Sequence, residues 1–249
     1  PATRLGLDEE VLVNFRKANP APVKPADIEV KSLREPSTAD RTLSRAKDRE
    51  HRADKELETL FCHLHVHTQY SVLQATPDIK KLVKKAVDLG MPAVAITDLG
   101  NVYGAYAFVT EAVKNKIKPI VGCEFYLSRE RQKKKFTRDN PDVRHTQVLL
   151  AKNLQGYKNI CRLSSIGFIE GLYGIYPRID KGLIETYREG LIATTGDLES
   201  EIPELILNVG ETQAEEAFRY WHRLFGEDFY VQLNRHGLEE EERVNAVLL

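Results

Sequence analysis

The chain is poor in sulfur and in tryptophan: three cysteines, one methionine and one tryptophan in 249 residues. Cys62, Cys123 and Cys161 are odd in number and far apart. That excludes a disulfide framework or zinc knuckle and makes a reducing, cytoplasmic setting the expectation. No apolar run approaches the roughly 20 residues that a membrane helix needs, so no membrane partner is expected. Net charge is almost nil, with 36 basic and 37 acidic residues giving −1. A chain-wide electrostatic footprint for nucleic acid is excluded, whereas a local patch is not. The first residue is Pro1, with no Met and no signal-peptide pattern, and the end, Val244 to Leu249, lies inside a helical run. A piece of a longer protein is therefore expected.

Residues 1 to 60 hold five of the eleven prolines and one aromatic, Phe15. This composition predicts a linker or extended arm, with a polar helix over 42–60. From Phe61 onward short apolar strands alternate with amphipathic helices. Strands are predicted over 61–67, 93–97, 118–127, 146–151, 191–195 and 229–233, with a shorter one near 174–176. Helices are predicted to begin at Thr76-Pro77-Asp78 and over 102–115, 156–166, 180–187, 201–207, 211–225 and 239–249. Such alternation argues for a parallel α/β sheet or barrel, which carries its chemistry at the C-terminal ends of its strands.

Within Phe61-Cys62-His63-Leu64-His65-Val66-His67-Thr68, strand alternation sends His63, His65 and His67 to one face. Grouped imidazoles are costly in an apolar core, and a divalent ion such as Zn²⁺, Mn²⁺ or Fe resolves the crowding. Asp98 ends a buried strand, where it could bind metal, orient a histidine or cap a helix. Glu124 is a carboxylate within an apolar strand and needs a partner or an ion. His145, Asp197, Asn234 and His236 stand beside further strands. The stretch 129–144 holds seven basic and three acidic residues. It reads as a solvated loop or, through Lys133, Lys134 and Lys135, as a phosphate-backbone contact.

Four stretches carry a resemblance: His63-Leu64-His65-Val66-His67-Thr68-Gln69-Tyr70-Ser71, Pro92 to Asp98, Ile117 to Glu124, and Leu150 to Asn159. In that order they resemble the N-terminal PHP (polymerase and histidinol phosphatase) domain of bacterial DNA polymerase III alpha subunits, from Phe61 to Leu249. The resemblance implies a distorted seven-stranded (β/α) barrel with a metal cluster at one mouth. His65, His67, Glu124, His145 and His236 match ligand positions of that family. Asp197 stands where the family has Cys or His, and Asn234 where it has Asp. Asp98 and His63 are weaker members of the set. Gln74 and Leu99 replace ligands outright.

The resemblance implies a Mg²⁺-dependent DNA polymerase as the parent, with DNA and other replicase subunits as partners. For these residues themselves it implies a partial ligand set with weak or no phosphoesterase or 3′–5′ exonuclease activity. A stand-alone metal-dependent phosphoesterase and a non-catalytic interaction module are the alternatives.

Overall fold

The computed structural model describes residues 61–249; the arm and the polar helix expected before Phe61 lie outside them. The chain first turns at 69–75 and enters α1 (Ile79–Asp88), whose first turn is capped by the Asp78 carboxylate accepting from the Lys81 N–H. Ile79, Val83 and Ala86 repeat at helical spacing and are buried. They pack with β1 (Ala93–Ile96) and α2 (Ala105–Lys114) around Val94, Ile96, Phe108 and Ala112.

β2 (Lys118–Ser128) is the spine. Its first half pairs in parallel with β1, from Ala93 opposite Lys118 to Ile96 opposite Val121. Its last residues pair in parallel with β5 (Tyr176–Ile179), and its whole second half pairs antiparallel with β3 (Arg144–Ala151). α3 (Leu154–Ile166), a π-helical turn at Gly167–Gly171 and the short strand β4 (Leu172–Tyr173) lead from β3 back to β5. α4 (Lys181–Tyr187), β6 (Leu191–Thr194), α5 (Glu201–Asn208) and α6 (Glu211–Phe225) follow. β7 (Phe229–Tyr230) and α7 (Glu239–Leu248) complete the described elements. The main core lies between the outer face of β2, β3 and β6 and helices α3 to α6, around Phe125, Leu149, Leu163, Ile184 and Trp221.

The sheet has the seven strands expected, in the order β4-β5-β2-β3-β6-β7 with β1 beside β2. It is not closed, and it is mixed rather than parallel, because β2–β3, β3–β6 and β4–β5 run antiparallel. The strand expected over 61–67 forms no ladder of its own. It runs beside β1 through two bonds, Ala95 N–H to the His63 carbonyl at 2.9 Å and Thr97 N–H to the Val66 carbonyl at 2.8 Å. The strand expected over 229–233 stops at Tyr230. Beyond it, the Gln232 side chain reaches His65 Nδ1 at 2.9 Å. Side chains rather than a backbone ladder thus bridge the gap between the first and last segments of the sheet. Among the described residues no helix is long and apolar enough to cross a membrane.

Candidate metal centre

Glu124 sits where β2 changes neighbours, with β1 pairing up to Val121 and β5 beginning at Tyr126. The segment after β1 bridges that interval: Glu124 N–H donates to the Asp98 carbonyl and Gly100 N–H to the Glu124 carbonyl, at 3.2 and 2.7 Å. The carboxylate is buried at this change of neighbours.

His65 Nε2 lies 3.0 Å and His67 Nε2 2.5 Å from Glu124 Oε2. The rings meet edge to face at 5.3 Å. One nitrogen from each histidine and one Glu124 oxygen lie within 4.8 Å of one another. Burial alone would raise the Glu124 carboxyl, but the hydrogen bonds and charges of His65 and His67 overcome it and hold it at about 2. Burial would lower His65, but the hydrogen bond to Glu124 together with the Glu124 and Asp197 charges overcomes it and leaves it raised. Glu124 Oε1 is buried and has no hydrogen-bond partner among the described residues. An orphaned carboxylate oxygen beside two imidazoles fits a divalent cation, with N and O donors suited to Zn²⁺, Mn²⁺ or Fe²⁺.

The remaining candidates divide. Asp197 lines the same cavity as His65 and His67, and its Oδ1 accepts from Thr146 Oγ1 at 3.2 Å and Glu199 N–H at 3.1 Å. His236 lines that cavity as well, exposed, with Nδ1 held 2.5 Å from the buried Glu241. Asn234 accepts from Gln232 at 3.0 Å. His63 lines that cavity too, exposed and edge-on to Phe61 at 4.9 Å, but is not among the three groups whose donor atoms cluster. Asp98 is fully engaged: its oxygens accept from Thr68 N–H at 2.6 Å, Thr68 Oγ1 at 2.8 Å and Ser71 Oγ at 2.7 Å. It pins the turn after the histidines instead of facing an ion. Gln74 is exposed, and Leu99 bridges to Glu124 through backbone alone.

His145 is brought to the other side. It pairs with Leu127, two steps along from Phe125 opposite Gln147, whereas Glu124 pairs with Val148. Paired residues share a face and neighbours alternate, so His145 falls on the face of Cys123, Phe125 and Leu149. Its Nδ1 is buried without a partner. The residue on the Glu124 face is Thr146, which holds Asp197.

Sequence reasoning missed three groups. Thr146 is one residue past His145. Gln232 donates to His65 and accepts from Thr194 at 3.0 Å. Glu199 is an exposed acid whose carboxyl is raised by partial burial and by the Asp197 and Glu124 charges. The Thr195-Gly196-Asp197-Leu198-Glu199 stretch, two acids after a strand, is the signal that could have found the last. The basic loop is also less free than its composition suggested. Lys134 Nζ donates to the Glu170 and Leu172 carbonyls at 2.8 and 2.6 Å, and Lys133 lies 5.2 Å from the Phe136 ring.

The PHP domain family profile matches residues 63–236. The chain belongs to the PHP domain family. It is 41% identical over 189 residues to the DNA polymerase III alpha subunit of Borreliella burgdorferi, covering 76% of this chain and 16% of that protein. Against the Aquifex aeolicus subunit it is 40% identical over 195 residues, covering 76% and 17%. The Chlamydia pneumoniae subunit is 41% identical over 178 residues, covering 72% and 14%. The chain thus spans about one sixth of the length of these relatives. A solved structure of a candidate metal-dependent phosphoesterase from Bifidobacterium adolescentis aligns at TM-score 0.43 and 12% identity, over 75% of this chain and 82% of that one. A likeness that distant carries no argument about chemistry.

Proposed function

We propose that this chain is the PHP region of a cytoplasmic replicative DNA polymerase III alpha subunit, with DNA and other replicase subunits as partners. The parent would carry its own Mg²⁺-dependent polymerising centre elsewhere. The region itself holds a divalent cation, Zn²⁺, Mn²⁺ or Fe²⁺, and hydrolyses phosphodiesters weakly or not at all. The observation that carries the metal reading is Glu124: one oxygen shared by His65 and His67, the other buried and unpartnered.

His65, His67 and Glu124 would hold the ion, with Asp197 and His236 as further donors on the same cavity wall. Bound there, a cation supplies Lewis-acid polarisation of a phosphate and a more acidic water. Thr146 orients Asp197, and Glu241 orients His236 by accepting from its Nδ1, as partners of metal-binding groups generally do. Weak hydrolysis follows from what is absent: Leu99 offers no donor, Gln74 is a poor and exposed one, and His145 lies on the opposite face of the sheet. Clamping both the attacking and the leaving oxygen needs more than one fully liganded ion. Of the three loop lysines, Lys135 is the one left to meet a phosphate.

The test is a metal titration followed by calorimetry, paired with a 3′-terminal phosphodiester assay in Mn²⁺. Binding of an ion that is lost in His65→Ala, with little or no turnover, supports the reading. Robust Mn²⁺-dependent turnover abolished by His65→Ala would favour a working phosphoesterase instead. No binding at all would leave an interaction module.

A further inference from the structure

The face of the sheet that carries Glu124 extends beyond the metal centre. Tyr126 stands two residues after Glu124 on β2, opposite Thr146 on β3 and Arg178 on β5. Arg144 stands opposite Ser128, two residues further along. Alternation puts Tyr126, Arg144 and, through Arg178, Tyr176 on the Glu124 face. Their side chains meet there. The Tyr126 and Tyr176 rings pack edge to face at 5.0 Å, and the Arg144 guanidinium lies 3.6 Å from the centre of the Tyr176 ring. Tyr176 precedes the β5 partner of Tyr126 by two residues, which sets it level with Glu124. Arg144 and Tyr176 therefore meet over the stretch between Ser128 and Glu124, with Tyr126 at its middle. None of the three lines the large cavity beside His65.

Two of these half-buried groups carry donors with nothing to bond. Among the described residues the Tyr126 hydroxyl has no hydrogen-bond partner, and Arg144 engages only Nη1, with Asp142 at 2.6 Å. Arg178 on the same face is fully engaged through Nε, Nη1 and Nη2. Arg144 and Arg178 share the single carboxylate of Asp142, so the trio keeps one positive charge. A guanidinium stacked on a ring and held by one nitrogen is fixed before any ligand arrives, and its remaining N–H groups suit an oxyanion. Geometry selects which oxyanion. The guanidinium, the hydroxyl and a cation at Glu124 each call for an acceptor on one group. A phosphoryl group has three such oxygens and a carboxylate two.

We propose that Arg144 and Tyr126 form a phosphate-anchoring subsite of the metal centre, holding the phosphoryl group of a phosphate ester through Nε, Nη2 and the phenol hydroxyl. Both are binding residues that fix where the ester lies. The inference rests on the metal reading above for the cation that faces the remaining oxygen. Without that cation, Glu124 and Asp197 repel the anion, so the subsite fills only weakly in metal-free protein.

The experiment is calorimetric titration of thymidine 5′-monophosphate into the full 249-residue chain, loaded with Zn²⁺ and separately in EDTA. Saturable binding to the loaded protein is expected, weaker in EDTA, with none for thymidine. Arg144→Gln should weaken it roughly 10- to 150-fold, the range of a hydrogen bond to a charged group, and Tyr126→Phe roughly 2- to 10-fold, the range of a neutral one. Arg144→Lys, which keeps the charge and loses the paired N–H groups, should fall between the parent and Arg144→Gln. All three should bind Zn²⁺ as the parent does, a readout that general damage to the site would move. Arg138→Gln, an equal loss of charge on the exposed loop, should change nothing. Circular dichroism melts confirm that each variant is folded, and Tyr126→Phe and Arg144→Lys carry the test if Arg144→Gln is not. The proposal is overturned if the nucleotide does not bind, if thymidine or acetate binds as tightly, if Arg138→Gln weakens binding as much as Arg144→Gln, or if the Arg144 and Tyr126 variants bind as the parent does. Should Zn²⁺ not bind, the metal reading falls and the EDTA titration still decides the subsite: weak binding that Arg144→Gln removes upholds it, and no binding overturns it.

Discussion

Arg178 offers the sharpest test of the packing argument. Its side chain is completely buried on β5. Nη1 meets Asp142 at 2.7 Å, Nη2 donates to the Arg131 and Lys133 carbonyls at 2.9 and 2.6 Å, and Nε donates to the Gly171 carbonyl at 3.0 Å. The guanidinium also lies 5.1 Å from the Tyr173 ring and 5.3 Å from Phe136. One side chain therefore fastens the basic loop to the body of the domain. Arg178→Met keeps an unbranched apolar stem and removes every one of those bonds. Asp142 is left with Arg144 alone, at 2.6 Å, and three carbonyls lose a donor. Removing one partner of a buried pair costs about 3–5 kcal/mol. The carbonyls do not add their full separate cost, because a loop this near the surface lets water in. For a domain of this size, each kcal/mol moves Tm by about 2–4 °C, so a fall of roughly 6–20 °C is expected. Equilibrium urea titration measures the loss directly. Asp142→Asn should cost less, since the carbonyl bonds to Arg178 survive. Limited trypsin digestion should cut after Lys133 to Lys135 faster in Arg178→Met. A loss under about 1 kcal/mol with unchanged digestion would refute the idea that this guanidinium holds the loop.

Other outcomes follow from the site and the core. His145→Ala should leave the affinity for added Zn²⁺ or Mn²⁺ unchanged, whereas Glu124→Gln should abolish binding; calorimetric titration of both variants separates the two faces of the sheet. In metal-free protein, Glu124 is depressed from 4.5 to about 2. Such a group stabilises the fold above pH 4.5, and the stability is lost as pH falls from there towards 2. Thermal melts across that window should decline more steeply in the parent than in Glu124→Gln, and parallel slopes would show that the carboxylate contributes nothing. Gly156→Ala improves helix propensity by up to about 1 kcal/mol. Yet the new Cβ would lie 1.8 Å from the Gly190 carbonyl oxygen. Net destabilisation is expected, about 1–3 kcal/mol for an overpacked site, and a stabilised variant in urea would contradict that contact.

Local periodicity is what the sequence carries best. The helix over Glu211–Phe225 and the cap at Asp78 are legible because apolar spacing and capping chemistry act within a few residues. The His65 and His67 pair is legible for the same reason, since alternation along one extended segment places both rings together. Their partner is not: Glu124 is 59 residues from His65, and only the parallel pairing of β1 with β2 brings them together. His145 shows how far a single residue matters. The family resemblance makes it a ligand, but the register of β3 against β2 turns it away and presents Thr146 instead. A side chain's face depends on parity, parity depends on register, and register is set by contacts between strands distant in sequence. Asp98 and Lys134 follow the same rule. Their residue types suggest an ion and a phosphate, and the tertiary structure gives them Thr68, Ser71 and two backbone carbonyls. Residue types within a few positions of one another decide which elements form and which groups are available. Which of those groups meet depends on how the sheet is paired, because pairing sets both distance and face.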